Sequence, residues 1–120
     1  MSKRRPSVSR DWRMYLRDMR DFCDRIVSYS DGLTREDFER HALPYDAIVR
    51  NIELLGEAAR QIPAEVRDRA SSIDWQKIIA LRNILIHSYF GIDDDILWDV
   101  VTNRIGQLRL ALEVLDSELP

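Results

Sequence analysis

A chain of 120 residues with 45% apolar and 32% charged residues has the composition of one folded domain rather than of a disordered segment. It has no apolar run of about 18 residues, which excludes a membrane-spanning helix, and its basic N-terminus leads into no apolar core, which argues against a secretory signal. One cysteine, Cys23, excludes an internal disulfide, and one Cys with two His cannot fill a structural zinc site. We therefore expect a cytoplasmic protein with no metal and no other cofactor, and we expect Cys23 to be buried.

The net charge of −3 is unevenly distributed along the chain. Residues 1–25 carry eight Lys/Arg against four Asp, whereas residues 93–120 carry seven Asp/Glu against two Arg. Solvated helix faces explain this pattern simply. Arginines of the first helix that contact phosphate are the alternative, since Arg is a good bidentate partner for phosphate. The charge pattern by itself does not decide between them.

The first predicted helix follows a short leader. Residues 1–8 are basic and contain Pro6, so we expect a flexible leader, and Ser9 is a suitable N-cap. Apolar residues then recur every three to four positions as far as Tyr29, which predicts one face of a helix of about 20 residues. Gly32 suits the left-handed cap that ends it.

Two further helices are predicted in the middle of the chain. Thr34 is a suitable N-cap for a short helix that ends near His41, a residue we expect on the surface. Pro44 can occupy the first turn of the next helix, whose apolar stripe ends before Pro63.

Asp74 is a suitable N-cap for another long helix, which is expected to run to about Tyr89 before Gly91 breaks the chain. Three Asp at positions 93–95 favour the start of the last helix. No segment alternates apolar and polar residues as a half-buried strand does. The sequence therefore predicts an all-α fold, an antiparallel four-helix bundle with short extra helices, with residues 9–120 as its single domain.

The long helix after Asp74 carries four functional side chains within eight residues: Arg82, Asn83, His87 and Tyr89. A histidine exchanges protons near neutral pH, and an arginine can hold a phosphate and stabilise the charge that develops on it. The amide of Asn83 could fix the imidazole tautomer, and Tyr89 could contact phosphate or stack on a base. These residue types suit RNA cleavage without a metal ion.

The same residues have an ordinary structural explanation. A histidine near a helix C-terminus commonly caps carbonyls, and an arginine in a bundle commonly pairs with a carboxylate. On an ideal helix Arg82 and His87 are about 140° apart. Either the helix ends near His87 or a second subunit completes the site, and the spacing alone leaves catalysis unproven.

The stretch from Trp75 to Asp93 resembles the motif helix of the HepT-like branch of the HEPN superfamily. The defining pattern of that family is Arg, four to six residues, His, any residue and Tyr, and here it is met by Arg82, His87 and Tyr89.

The resemblance extends beyond the motif helix. The segment Asn51-Ile-Glu-Leu-Leu-Gly-Glu-Ala58 is similar to the Gly-Glu-Ala helix of the family, and the likeness covers roughly residues 10–115. Ala80-Leu81 departs from it, since family members often carry Gly-Met there.

The resemblance implies a specific function. HepT-like proteins are toxins of type VII toxin–antitoxin pairs, and they cleave cellular RNA (tRNA or mRNA) without metal ions. They are typically homodimers whose two motifs face each other, and their antitoxin, the minimal nucleotidyltransferase MntA, transfers AMP to the motif tyrosine. Carried over, Arg82 and His87 are the catalytic pair, Tyr89 is a site residue and the AMP acceptor, and Asn83 is a supporting residue.

Glu57 is a further supporting candidate. We expect it to pair with Arg82, because Gly56 allows the two helices to approach closely, although it could simply be solvated. Two other functions remain open beside the RNA-cleaving toxin. One is a non-catalytic helical subunit that is the substrate or regulator of a nucleotidyltransferase, and the other is a structural bundle whose motif merely caps a helix.

Overall fold

The computed structural model describes residues 6–41, 43–87 and 93–119. Within these residues the fold is all-α and contains no strand. The helices are α1 Pro6–Ser30, α2 Arg35–Glu39, α3 Leu43–Ala59, α4 Ala64–Arg67, α5 Trp75–His87, α6 Asp94–Asp99 and α7 Ile105–Glu118. A 3₁₀ turn over Asp68–Ala70 follows α4, and a π-helical turn over Val100–Arg104 joins α6 to α7.

The long helices α1, α3, α5 and α7 form the predicted antiparallel four-helix bundle, which confirms the fold class. In the packing, α3 contacts both α1 and α5, and α1 contacts α7. Their apolar stripes meet in one core, where burial of each Leu or Ile side chain contributes about 1.5–3 kcal/mol. The fully buried members include Leu16, Met19, Cys23 and Ile26 of α1, Ile48 and Ile52 of α3, and Leu112 of α7. The prediction that Cys23 is buried is thereby confirmed.

Local signals placed most helix ends correctly. Gly32 has a φ of +75°, the left-handed conformation expected at the end of α1. Thr34 caps α2 with a capping box: Asp37 N donates to Thr34 Oγ1 at 3.1 Å, and Thr34 N donates to Asp37 Oδ2 at 3.4 Å. Asp74 and Asp93 likewise accept backbone N–H groups at the starts of α5 and α6.

Two boundaries differ from the prediction. α1 begins at Pro6, inside the predicted leader, because a proline lacks the N–H that the first helical turn leaves unpaired. α3 ends at Ala59, three residues before the predicted end at Ile62. The guanidinium of Arg67 donates to the carbonyl oxygens of Ala59 and Ile62 at 3.0 and 2.9 Å, which satisfies these groups where the helix stops. The division at residue 9 between leader and domain stays a prediction.

Helix α5 is packed on one side only. Its buried residue is Trp75, whereas Ile78 and Leu81 of the predicted core stripe are only half-buried. An apolar groove of about 470 Å³ lies between α5 and the helical stretch formed by α6 and α7, with Ile96 and Leu108 on its opposite wall. The bundle is therefore open along the helix that carries the motif.

In the described part of the chain, no helix combines the length and the apolar character that crossing a lipid bilayer requires.

Candidate functional site

The pairing of Arg82 with Glu57 joins α5 to α3. Nη2 of Arg82 lies 2.7 Å from Oε2 of Glu57, which confirms the expected contact. Gly56 makes this approach possible: a Cβ added there would overlap Cβ of Arg82 and lie 3.1 Å from the carbonyl oxygen of Ile78. The glycine therefore sets the short separation at which the two side chains meet.

The environment of this ion pair is asymmetric. The side chain of Arg82 is 18% exposed and that of Glu57 is 46% exposed, although the contacting oxygen Oε2 of Glu57 is itself buried. The Nη2–Oε2 contact lacks hydrogen-bond alignment, and Nε of Arg82 is buried without an acceptor among the described residues. The Nη1 side of the guanidinium, whose hydrogen bond to Asn83 lies at the surface, can still contact a further anion.

Asn83 has a contact with Arg82 that the sequence did not predict. Its Oδ1 accepts a hydrogen bond from Nη1 of Arg82 at 2.9 Å, and no hydrogen bond between Asn83 and His87 occurs in the described part of the chain. This contact uses the amide oxygen only, so the role of Asn83 in fixing the imidazole of His87 stays a prediction. A guanidinium has five N–H donors, and the adjacent amide oxygen supplies Arg82 with an acceptor in addition to Glu57.

His87 is the last described residue of α5, and its side chain is exposed. Because α5 is a continuous α-helix up to that point, His87 leaves the axis about 140° from Arg82. A single copy therefore does not aim both side chains at one point. Tyr89, the third motif residue, lies outside the described residues.

The exposed face of α5 carries His87 together with apolar and small residues. Ala80, Ile84 and His87 follow one another at spacings of four and three residues, so they lie on one face of the helix, and each is exposed. The side chain of Ile84 is 39% exposed, and Ile86 nearby is 44% exposed. Partly exposed apolar side chains thus lie beside the exposed histidine of the motif.

Two residues have contacts that the sequence reasoning missed. Nη1 of Arg60 lies 3.7 Å from Oε2 of Glu57, a pairing that the spacing of three residues could have indicated.

His41 is half-exposed as expected, yet its Nε2 lies 2.9 Å from Oδ2 of Asp94, and its ring stacks on Tyr45 with centroids 3.9 Å apart. The pKa of Tyr45 is raised, mainly because the hydroxyl is partly buried and to a smaller extent by the carboxylate of Asp94.

Possible metal ligands are dispersed in this structure. Over residues 6–41, 43–87 and 93–119, no three His, Cys, Asp or Glu side chains come together as a cation site requires.

In the described residues, the half-open helix α5 presents an ion-paired arginine and an exposed histidine, an arrangement compatible with the RNA-cleaving chemistry that the sequence motif implies. Comparison with known families agrees, since the model of the family described as "Ribonuclease HepT-like" matches residues 19–115. The chain therefore belongs to the ribonuclease HepT-like family, and its enzyme class is ribonuclease.

Several curated proteins resemble the chain over most of its length. It is 33% identical over 107 residues to "Putative RNase TTE0752" of Caldanaerobacter subterraneus, covering 88% of this chain and 96% of the relative. It is 31% identical over 108 residues to "Probable ribonuclease HepT" of Thermococcus cleftensis, covering 90% and 98%.

A third relative, "Gamma-glutamylcyclotransferase and putative RNase MJ0434" of Methanocaldococcus jannaschii, is 33% identical over 112 residues. The match covers 93% of this chain and 50% of that protein, so this chain corresponds to half of it. No solved structure matches the chain at a significant level.

Proposed function

We propose that this protein is the toxin of a HepT/MntA-type toxin–antitoxin pair, and that it cleaves cellular RNA, tRNA or mRNA, in the cytoplasm without a metal ion. Membership of the ribonuclease HepT-like family supports the RNA-cleaving activity. The observation that carries the proposal is the placement of Arg82 and His87 on one half-open helix. Arg82 is held by Glu57 at 2.7 Å, while His87 is exposed to solvent.

In the proposed reaction, the ribose 2′-oxygen attacks the adjacent phosphorus, and the bond from phosphorus to the 5′-oxygen of the next nucleotide breaks. One imidazole takes the proton of the 2′-hydroxyl, and a proton is delivered to the leaving 5′-oxygen. The products are a 2′,3′-cyclic phosphate and a 5′-hydroxyl. The guanidinium of Arg82 stabilises the negative charge that builds up on the phosphate, an effect that is strongest where the cation is desolvated.

A homodimer would supply the second proton-transfer group. The exposed face of α5 with Ala80, Ile84 and His87 offers apolar contact area, and the small Ala80 permits close approach of a second helix. Packing this face on its own copy about a two-fold axis would bring the two His87 side chains towards each other. In such a dimer Arg82 of one copy could act together with His87 of the other copy. The angle of about 140° between the two side chains on one helix would then not prevent them from meeting at one phosphate.

The proposed antitoxin is an MntA-like nucleotidyltransferase that transfers AMP to Tyr89. This tyrosine lies two residues beyond His87 in the sequence, so its AMP would add bulk and a negative phosphate near the motif. That charge would occupy Arg82 and repel the RNA backbone. Asn83 and Glu57 act as supporting residues that hold Arg82.

The deciding experiment is cleavage of a mixed cellular RNA pool by the purified protein in EDTA, with His87→Ala alongside. We expect cleavage by the wild-type protein and a loss of at least a hundredfold in the variant, the usual size of a general acid–base contribution. His87 is exposed, so its removal should leave folding intact. If protein free of AMP does not cleave RNA, the non-catalytic subunit of a nucleotidyltransferase becomes the better account.

A further inference from the structure

Arg82 has a cationic neighbour that the proposed reaction does not use. Arg60 follows the last residue of α3, and its backbone N–H donates to the carbonyl oxygen of Gly56 at 3.2 Å, so it continues the final turn of that helix. Its Nη1 lies 3.7 Å from Oε2 of Glu57. The same oxygen lies 2.7 Å from Nη2 of Arg82. Two guanidinium groups thus share one carboxylate oxygen at the seam between α3 and α5, which leaves one positive charge uncompensated there.

The two arginines are held to different degrees. Arg82 is 18% exposed and has a second partner, the Oδ1 of Asn83 at 2.9 Å. Arg60 is 48% exposed, and its contact with Glu57 is longer than a charge-assisted hydrogen bond. In the described part of the chain, Arg60 has no other ion-pair or hydrogen-bonding partner for its side chain. Its guanidinium donors therefore face solvent beside an arginine that is already fixed in place.

We propose that Arg60 is a second phosphate-binding residue, which contacts the RNA phosphate next to the one held by Arg82. This inference rests on the proposed RNA-cleaving function and names a part of the substrate that the function alone does not specify. Nη1 of Arg60 and Nη2 of Arg82 lie 3.7 and 2.7 Å from the same oxygen of Glu57. The two guanidinium groups are therefore close enough to contact two successive phosphates of one strand. Glu57 keeps both guanidinium groups near that position before RNA arrives, which reduces the ordering cost of binding.

A consequence for the substrate follows from this arrangement. A strand must carry a phosphate adjacent to the scissile one in order to use both arginines. A dinucleoside monophosphate has only one phosphate and would lose the contact with Arg60. A single-stranded trinucleotide with two phosphates would retain it.

The first arm of the test measures binding without cleavage. The anisotropy of a fluorescent single-stranded RNA is followed with the full chain carrying His87→Ala, over a range of salt concentrations. Addition of Arg60→Gln should weaken binding about tenfold, as expected for a lost hydrogen bond to a charged group. It should also reduce the slope of log K against log salt by about 0.7, the value for one phosphate contact on a single strand. Arg60→Lys should keep most of the slope.

Arg50→Gln is the matched control. Arg50 lies on α3, the helix that Arg60 follows. It is 66% exposed and pairs with Glu53 three residues away at 3.2 Å, and no contact between it and Arg82 occurs among the described residues. We expect its RNA affinity and its salt slope to equal those of the parent. An equal loss in the two variants would mean that Arg60 contributes only general surface charge, and this would overturn the proposal.

The second arm measures cleavage by otherwise wild-type protein. Arg60→Gln should raise KM for the trinucleotide several-fold with kcat nearly unchanged, and it should abolish most of the preference for the trinucleotide over the dinucleoside monophosphate. If the wild-type protein cleaves RNA and Arg60→Gln behaves as Arg50→Gln does, the inference is wrong while the proposed function stands. If the wild-type protein neither binds nor cleaves RNA, both are wrong.

Discussion

Gly56 of α3 lies so close to Arg82 of α5 that a methyl group at position 56 would overlap Cβ of the arginine. The absence of a side chain at Gly56 therefore fixes how closely the two helices approach. This short separation allows Glu57, the next residue, to reach the guanidinium at 2.7 Å. The geometry of the candidate site thus depends on a residue that has no functional group.

Gly56→Ala should destabilise the protein, because the added methyl group forces α3 and α5 apart. Overpacking of this kind typically costs about 1–3 kcal/mol. The measurement is the free energy of unfolding in denaturant. Gly106→Ala in α7 is the control, since a Cβ there meets nothing within 4 Å, and the better helix propensity of alanine should add about 0.5–1 kcal/mol. A loss of stability at position 106 equal to that at position 56 would contradict the explanation by close approach.

Cys23 should resist alkylation in the folded protein. Burial, with a smaller contribution from Asp24, raises the pKa of its thiol from 9.0 to about 12, and Arg109 opposes the shift. At pH 8 the reactive thiolate is then on the order of 10⁻⁴ of the folded population. Iodoacetamide followed by mass spectrometry should show no adduct in buffer and complete labelling in denaturant. Rapid labelling of the native protein would show that the α1 face is more accessible than the structure indicates.

The same thiol sets the sign of a pH effect on stability. Its pKa is higher in the folded state than in the unfolded state. Its contribution to the free energy of unfolding is therefore fully present below about pH 9. The contribution is lost as the pH rises from about 9 to about 12, because the unfolded chain then releases a proton that the folded chain retains. Cys23→Ala should therefore flatten the fall in stability over this alkaline range. An unchanged slope would contradict the raised pKa.

Ile84→Lys should disrupt the proposed homodimer. The substitution places a charge in the middle of the exposed face of α5, where a dimer interface would bury it without a partner. Sedimentation equilibrium should show a dimer for the wild-type protein and a monomer for the variant. Leu110→Lys is the control, because Leu110 is 60% exposed on α7, away from the motif helix. A wild-type monomer, or a dimer broken only by Leu110→Lys, would contradict the proposed interface.

Tyr89→Phe should remove the acceptor of AMP. The substitution deletes the hydroxyl group to which the nucleotidyltransferase would attach the nucleotide, and it retains the aromatic ring. Incubation with the partner enzyme and labelled ATP should label the wild-type protein and leave the variant at background. Tyr15→Phe serves as the control, since Tyr15 is 37% exposed on α1 and outside the motif. Undiminished labelling of Tyr89→Phe would assign the modification to another residue.

The sequence indicated the functional residues unequally. The motif spacing placed Arg82 and His87 on one helix, and Gly56 pointed correctly to the pairing of Glu57 with Arg82. The contact of Asn83 with Arg82 was not indicated by the sequence, because helix periodicity shows which residues share a face but not which acceptor a guanidinium selects.

The contacts of Arg60 with Glu57 and of His41 with Asp94 were not predicted from the sequence. The partner of His41, Asp94, is far away in the sequence, so only the packing of the α2–α3 connection against the start of α6 joins them.

What the sequence determined by itself was local. The cap at Thr34, the left-handed turn at Gly32 and the apolar spacing of α1 each depend on groups within about four residues of one another, so the chain encodes them without reference to the rest of the fold.

The tertiary structure alone decided how α5 sits on α3. Helix rotation and separation are set by packing across the whole core, and they determine the distance at which Glu57 meets Arg82 and leave the face with Ile84 and His87 exposed.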